Sequence, residues 1–249
     1  MNHFLRIVDF EVSQRPDILV ANSKNVAERI KKFYRRESVV IYPPINTLSF
    51  PRKRESILYR SSGPKSGMTT SYYLTVGRLV RGKGIEVIVE AAVKLGILLK
   101  VVGSGPEMES LKRLLPPDQV RGRNDVSFLG AVSDEELVKL YAGAKATILA
   151  SEDEDFGIVA VESQAAGTPV IAPRSGGFIE SIVNGKTGIL YGGSGQVNVD
   201  SLMEAITQFN SLNDLNHLNK YDCQKQAEKF SKERFKKEIL ELIKKGLDK

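Results

Sequence analysis

Short apolar runs rich in β-branched residues alternate along this chain with longer stretches in which apolar positions recur every three or four residues. The runs predict strands at 72–76, 98–102, 126–129, 146–149, 169–172 and 188–191. The periodic stretches between them predict helices at about 84–96, 106–115, 134–143, 159–166 and 176–183. Strands that are apolar on both faces belong to a parallel sheet packed between helices, so the expected class is α/β with a Rossmann-like sheet. One helix start is marked by its own chemistry: Ser133, followed three residues later by Glu136, precedes the apolar stripe of Leu137, Leu140 and Tyr141.

Upstream, 17–22 and 39–42 read as two further strands with a basic amphipathic helix at about 25–35 between them, too few elements to close a core. The stretch 49–71 is polar, basic and dotted with Gly and Pro, which is the composition of a linker. Residues 230–249 repeat apolar side chains at Phe235, Ile239, Leu242 and Ile243 among lysines, the pattern of an amphipathic helix. The expected plan is a small N-terminal piece at 1–50, a linker at 51–71, a main domain at 72–229 and a terminal helix at 230–249.

Composition narrows this picture. A chain of 249 residues, 41% hydrophobic and 27% charged, is ordinary for one or two folded domains, and no apolar run approaches the roughly 18 residues of a membrane span. The 36 basic and 30 acidic side chains leave +6, an excess that suits an anionic ligand without calling for nucleic acid. The basic face of the terminal helix is satisfied by solvent, and it also permits peripheral contact with an anionic membrane. A single cysteine, Cys223, cannot form an internal disulfide, and the start lacks the apolar core of a secretory signal, so a reducing cytoplasm is expected, with the inner membrane face as the one surface nearby. His3 and His217 are the only histidines and lie in terminal regions, which leaves a metal cluster or a Ser-His pair without a home in the main domain.

The chemistry concentrates in loops that follow strands. Glu154-Asp155-Phe156-Gly157-Ile158-Val159 leads into a short helix carrying Glu162 and ending at Gly167 before Pro169. The carboxyl edge of a doubly wound sheet is where ligands bind, and the amides at a helix start attract phosphate. Glu154 and Glu162 are placed to border one crevice, or else form an exposed acidic loop and a surface carboxylate. The cluster 77–84 (GRLVRGKG) sets Gly77, Arg78 and Lys83 where a diphosphate would meet both close backbone approach and positive charge. Gly103-Ser104-Gly105 lacks the third glycine of a dinucleotide fingerprint and reads as a tight turn that starts a helix. Gly176-Gly177 is explained either by a turn or by close approach to a ligand.

Taken in order, VGRLVRGKG at 76–84, VVGSGP at 101–106, VSFLGAVSDEELVKLY at 126–141, EDFGIVAVESQAAGTPVIAPRSGG at 154–177 and TGILY at 187–191 resemble the donor half of a retaining group-1 (family 4) glycosyltransferase of the two-domain GT-B fold. The resemblance implies a nucleotide-sugar donor, linked to UDP, GDP or ADP, and a glycan or lipid-linked acceptor, without a metal or other cofactor. It implies that Arg78, Lys83 and Glu154 form the catalytic set. Arg78 and Lys83 would bind the diphosphate and Glu154 the hydroxyls of the transferred sugar. The donor-binding set would be Gly77, Gly103, Gly105, Phe128, Phe156, Gly157, Ile158, Val159 and Glu162, with the backbone amides of 156–159 on sugar and phosphate oxygens, Glu162 on the ribose and 126–130 lining the base pocket. Such families begin with a complete acceptor domain, of which only DILVANSKNVAERIKKFYRR and VVIYPPIN have counterparts here. The expectation is a truncated product or one half of a split enzyme, with a partner chain supplying the acceptor domain; the alternatives are a non-catalytic nucleotide-sugar-binding module or inactive fragment, and an epimerase of the same architecture.

Overall fold

The computed structural model describes residues 2–45, 71–116, 125–193, 197–214 and 217–247. The expected linker at 51–71, apart from Ser71, lies outside the described residues. An N-terminal unit comprises α1 (Asn2–Ser13), β1 (Val20–Ala21), α2 (Lys24–Tyr34) and β2 (Val39–Val40). The main body follows as β3 (Tyr73–Val76), α3 (Ile85–Leu95), β4 (Leu99–Val102), α4 (Met108–Lys112), β5 (Val126–Gly130), α5 (Asp134–Gly143), β6 (Thr147–Ile148), α6 (Ile158–Ala165), β7 (Val170–Pro173), α7 (Phe178–Ser181) and β8 (Gly188–Tyr191). It closes with α8 (Val199–Asp214), α9 (Lys220–Glu228) and α10 (Lys232–Leu247).

Strands β3 to β8 form one parallel sheet in the order β5-β4-β3-β6-β7-β8. This is the doubly wound order, in which the winding reverses between β3 and β6. One face buries Tyr73, Leu99, Val101, Ile148 and Ile171 under Ile88 and Val89 of α3 and Leu202, Ile206 and Phe209 of α8. The other face buries Leu74 against Tyr141 of α5 and Val161 of α6, and Val170 and Ala172 against Ala160 of α6 and Phe178 of α7. Helices on both faces explain why the strands read as unbroken apolar runs.

Local chemistry sets the boundaries. Ser133 Oγ accepts the Glu136 amide at 3.3 Å, the cap expected from the sequence. Glycines set the loops at the carboxyl edge. Gly103 has φ +131°, and a Cβ there would lie 1.8 Å from the Gly77 carbonyl oxygen; at Gly105 it would lie 2.3 Å from that of Leu79. The loops after β3 and β4 are thus stacked backbone on backbone, tied by the Leu79 amide on Ser104 O at 2.9 Å and the Glu107 amide on Leu79 O at 3.1 Å.

Several elements differ from expectation. The strands expected at 17–22 and 39–42 shrink to two residues each, paired only with one another among the described residues. Without further partners they cannot propagate a ladder, and Val20 and Val39 remain exposed, as do Phe4, Leu5, Ile7 and Val8 of α1. The helices expected at 106–115 and 176–183 reduce to five and four residues. Helices α1, α8 and α9 lie outside the expected set, although Leu202, Ala205, Ile206 and Phe209 have helical spacing and are all buried. The chain end returns to the N-terminal unit: the Ile45 amide donates to Phe230 O at 2.9 Å, and Ile45 bridges Ser231. No described helix is long and apolar enough to cross a membrane.

Gly103→Ala is expected to lower stability by about 3 kcal/mol, since the added methyl meets the Gly77 backbone at a positive-φ position. Gly77→Ala, where nothing lies within 4 Å, should cost under about 1 kcal/mol. Urea midpoints of the two variants check this, and equal midpoints would contradict it.

Candidate functional site

Where the winding reverses, α3 leaves β3 over one face of the sheet while α6 leaves the loop after β6 over the other. A cavity of about 210 Å³ opens between them at the strands' carboxyl ends. Ile85 and Ile88 line it from one face, Val159 and Phe178 from the other, and Gly77, Arg78, Lys83, Glu154, Gly157 and Ile158 complete the expected part of its wall.

Its main charge contact is Lys83 Nζ to Glu154 Oε2 at 2.7 Å, with both side chains mostly buried. Gly84 delivers Lys83 to this position. Its backbone is left-handed, φ +66°, and a Cβ would stand 2.4 Å from Ala150 O, so the basic loop can lie against the end of β6 only with glycine there. Gly157, also left-handed, starts α6 and would bring a Cβ within 2.6 Å of the Phe178 ring. The Glu154 loop is fixed from the other side, because the Gly177 amide donates to Glu154 O at 2.8 Å and Ser175 Oγ to Glu152 O at 2.7 Å. An ammonium, a carboxylate and the amino end of a helix therefore share one small cavity, where cation and dipole favour an anion and the carboxylate favours hydroxyls.

The remaining expected residues lie elsewhere. Glu162 does not line this cavity: its Oε2 accepts Tyr141 Oη at 3.1 Å, so the two carboxylates of the acidic segment are parted by the turns of α6. The Phe156 side chain is buried in an aromatic cluster, its ring 5.7 Å from that of Tyr42 and 5.2 Å from that of Phe230. Each such pair contributes about 0.5–1.5 kcal/mol beyond its area. Phe128 packs on the α3 side of the core, and Gly103 and Gly105 are accounted for by loop stacking. Thr75 was not anticipated. It lines the cavity fully buried, and its hydroxyl finds no hydrogen-bond partner among the described residues. Cys223 is buried, which pushes its thiol up to about 12 and makes it unreactive.

A larger hollow of about 840 Å³ lies between α1 and α2, floored by Phe10, Val26, Ile30 and Phe33 and edged by Arg6, Asp9 and Arg29. It reaches Asp155, the neighbour of Glu154. Arg29 pairs with Asp155 at 2.7 Å, half-exposed, and worth under about 1 kcal/mol.

The sequence profile described as Glycosyl transferases group 1 matches residues 62–239, more than half of the chain and all of the cavity. The chain belongs to the group 1 glycosyl transferases. Within this family it is 35% identical over 140 residues to the GDP-mannose-dependent alpha-mannosyltransferase of Corynebacterium glutamicum, covering 56% of this chain and 32% of that protein. It is 30% identical over 200 residues to the D-inositol 3-phosphate glycosyltransferase of Pseudarthrobacter chlorophenolicus, covering 76% and 47%. The chain thus spans less than half the length of these curated relatives. In fold it is similar to the sucrose-phosphate synthase of Thermosynechococcus elongatus, with TM-score 0.81, 22% identity, and coverage of 98% of this chain and 61% of that one. The Anabaena HepE structure in complex with UDP-glucose gives TM-score 0.77 at 21% identity, covering 96% and 67%.

Burial raises the Glu162 carboxyl above its ordinary value; the bond from Tyr141 opposes the shift and Asp134 adds to it. A carboxyl that holds its proton more tightly when folded loses stability as pH rises from the unfolded pKa through the folded one. Glu162→Gln removes that loss. Its stability relative to wild type should therefore be more favourable at about pH 7 than at about pH 4, near the unfolded value. Urea unfolding at the two pH values tests this, and a difference independent of pH would contradict it.

Proposed function

We propose that this chain is the donor-binding half of a retaining glycosyltransferase that takes a sugar from a UDP-, GDP- or ADP-linked donor to a glycan or lipid-linked acceptor. The observation that carries the reading is the Lys83–Glu154 pair inside the cavity at the switch of the sheet. Family membership supports the reaction class, and the charged lining of the cavity supports its location there.

In this reading the donor diphosphate takes the Lys83 ammonium from Glu154, and the released carboxylate accepts the sugar hydroxyls. The pair is neutral before binding, and the charge that the diphosphate brings is offset in part by Arg78 and the start of α6. As the glycosidic C–O bond breaks, negative charge grows on the departing diphosphate. Lys83, Arg78 and the start of α6 are already aimed there, so little reorganisation is needed as the charge develops. The acceptor hydroxyl attacks from the face the nucleotide leaves, through an oxocarbenium-like state, with the leaving phosphate taking its proton. The acceptor enters from the side of the N-terminal unit, where the large hollow meets Asp155. The exposed apolar side chains of α1 and of β1 and β2 are where we place the rest of an acceptor-binding unit, on this polypeptide or a partner chain. Peripheral contact of α10 with an anionic membrane, through exposed Leu240 and Ile243, would bring lipid-linked acceptors near.

Calorimetry against UDP-, GDP- and ADP-sugars tests the site. One donor should bind, and Lys83→Ala should weaken it about tenfold, the value of one charge-assisted hydrogen bond. Glu154→Gln should leave binding of the bare nucleoside diphosphate equal or tighter, because Lys83 is released, while lowering transfer at least about a hundredfold. Binding by wild type with no transfer to any acceptor would make the chain a non-catalytic nucleotide-sugar module. No binding to wild type would end the assignment.

A further inference from the structure

The first amides of α2 are capped by a side chain from far along the sequence. Glu180, on α7, accepts the Lys24 amide on Oε2 at 2.8 Å and the Asn25 amide on Oε1 at 3.0 Å. The local cap, Ser23 Oγ, takes only the next amide, that of Val26, at 3.0 Å. Helix caps are normally supplied by neighbours in sequence, and a carboxylate at a helix start also meets the positive end of the dipole. Here that favourable contact is used to tie two units together.

The same carboxylate accepts Tyr42 Oη at 2.9 Å on Oε2. Tyr42 in turn stacks its ring against Phe156 and Phe230, at 5.7 and 5.5 Å, and its carbonyl accepts the Arg234 guanidinium at 2.5 Å. On the other side of Glu180, two residues back along α7, Phe178 forms the cavity wall against Gly157, and the Gly177 amide holds Glu154 O. Arg29, on α2, reaches Asp155 of that same loop.

We infer that Glu180 is a positioning residue that clamps α2 to the wall of the cavity, so that the seat of the N-terminal unit and the shape of the cavity move as one. The inference rests on the proposed function only where it calls the cavity a donor site. If α2 tilts, it either loses two charge-assisted bonds or draws α7 with it, and α7 carries Phe178 across the start of α6. The clamp would thus report the arrival of an acceptor-side group to the donor side through one carboxylate.

Amide hydrogen exchange on the full chain tests the clamp without any ligand. In Glu180→Gln, exchange at Lys24 and Asn25 should accelerate about tenfold or more, since a carboxylate holding two amides is replaced by a group that can accept at only one oxygen. The amides of Ala160, Gly177 and Ile182, held by Gly157 O, Glu154 O and Phe178 O at the cavity wall, should accelerate with them. A cap with only a structural role would loosen α2 and leave those three unchanged, and that result would overturn the inference, as would unchanged exchange at both sets. Tyr42→Phe, which removes only the phenol, is expected to accelerate both sets about threefold, and it decides the matter if Glu180→Gln does not fold; an unmoved cavity set would again overturn the inference. Where wild type binds UDP, GDP or ADP, Glu180→Gln should weaken that affinity about fivefold, and unchanged affinity counts against the coupling. If wild type binds none of them, the donor reading falls while the exchange data still decide the clamp.

Discussion

A parallel sheet joined by right-handed crossovers must send its helices to one face until the direction of winding reverses. In this protein the reversal falls between β3 and β6, with α3 over one face and α6 over the other. No crossover covers the carboxyl ends of these two strands, so a gap remains that side chains and loop backbone must line. The site's other features follow from this gap. The basic loop after β3 and the acidic loop after β6 face each other across it because they leave adjacent strands, and the amino end of α6 opens on it because that helix departs from its rim.

Charges placed in such a gap have to be neutralised. Lys83 and Glu154 neutralise one another at 2.7 Å, which keeps two charges in a small cavity without an uncompensated desolvation cost. The pair holds the site in a low-cost state. Glu162 is handled differently. Its partner is the neutral hydroxyl of Tyr141, and burial raises its carboxyl. Two acids eight residues apart thus sit in distinct electrostatic surroundings, one matched to a cation and one to a hydroxyl.

Sheet strands were legible because full burial on both faces leaves an apolar run in the sequence, and the six expected segments overlap β3 to β8 within a residue or two. Lys83, Gly157 and Glu154 were legible because loops after strands carry glycine and charge together. Other features leave no local trace. That the Phe156 ring packs with Tyr42 and Phe230 depends on segments more than seventy residues away on either side. Gly103 and Gly105 read as a tight turn, but the close approach of the loop after β3 that requires them leaves no mark in the sequence. The polar helix α9 was missed since its buried residues, Cys223, Gln226 and Ala227, make a weak apolar stripe. Glu180 holding α2 is a contact no spacing rule connects.

The proposed role of the cavity at the reversal is to exchange an internal ion pair for a nucleotide-linked sugar. A crystal structure of the chain with a bound nucleotide sugar tests it most directly. A diphosphate oxygen is expected within about 3 Å of Lys83 Nζ, with Glu154 released toward the sugar hydroxyls. A donor seated elsewhere on the chain, with Lys83 and Glu154 still joined, would contradict it.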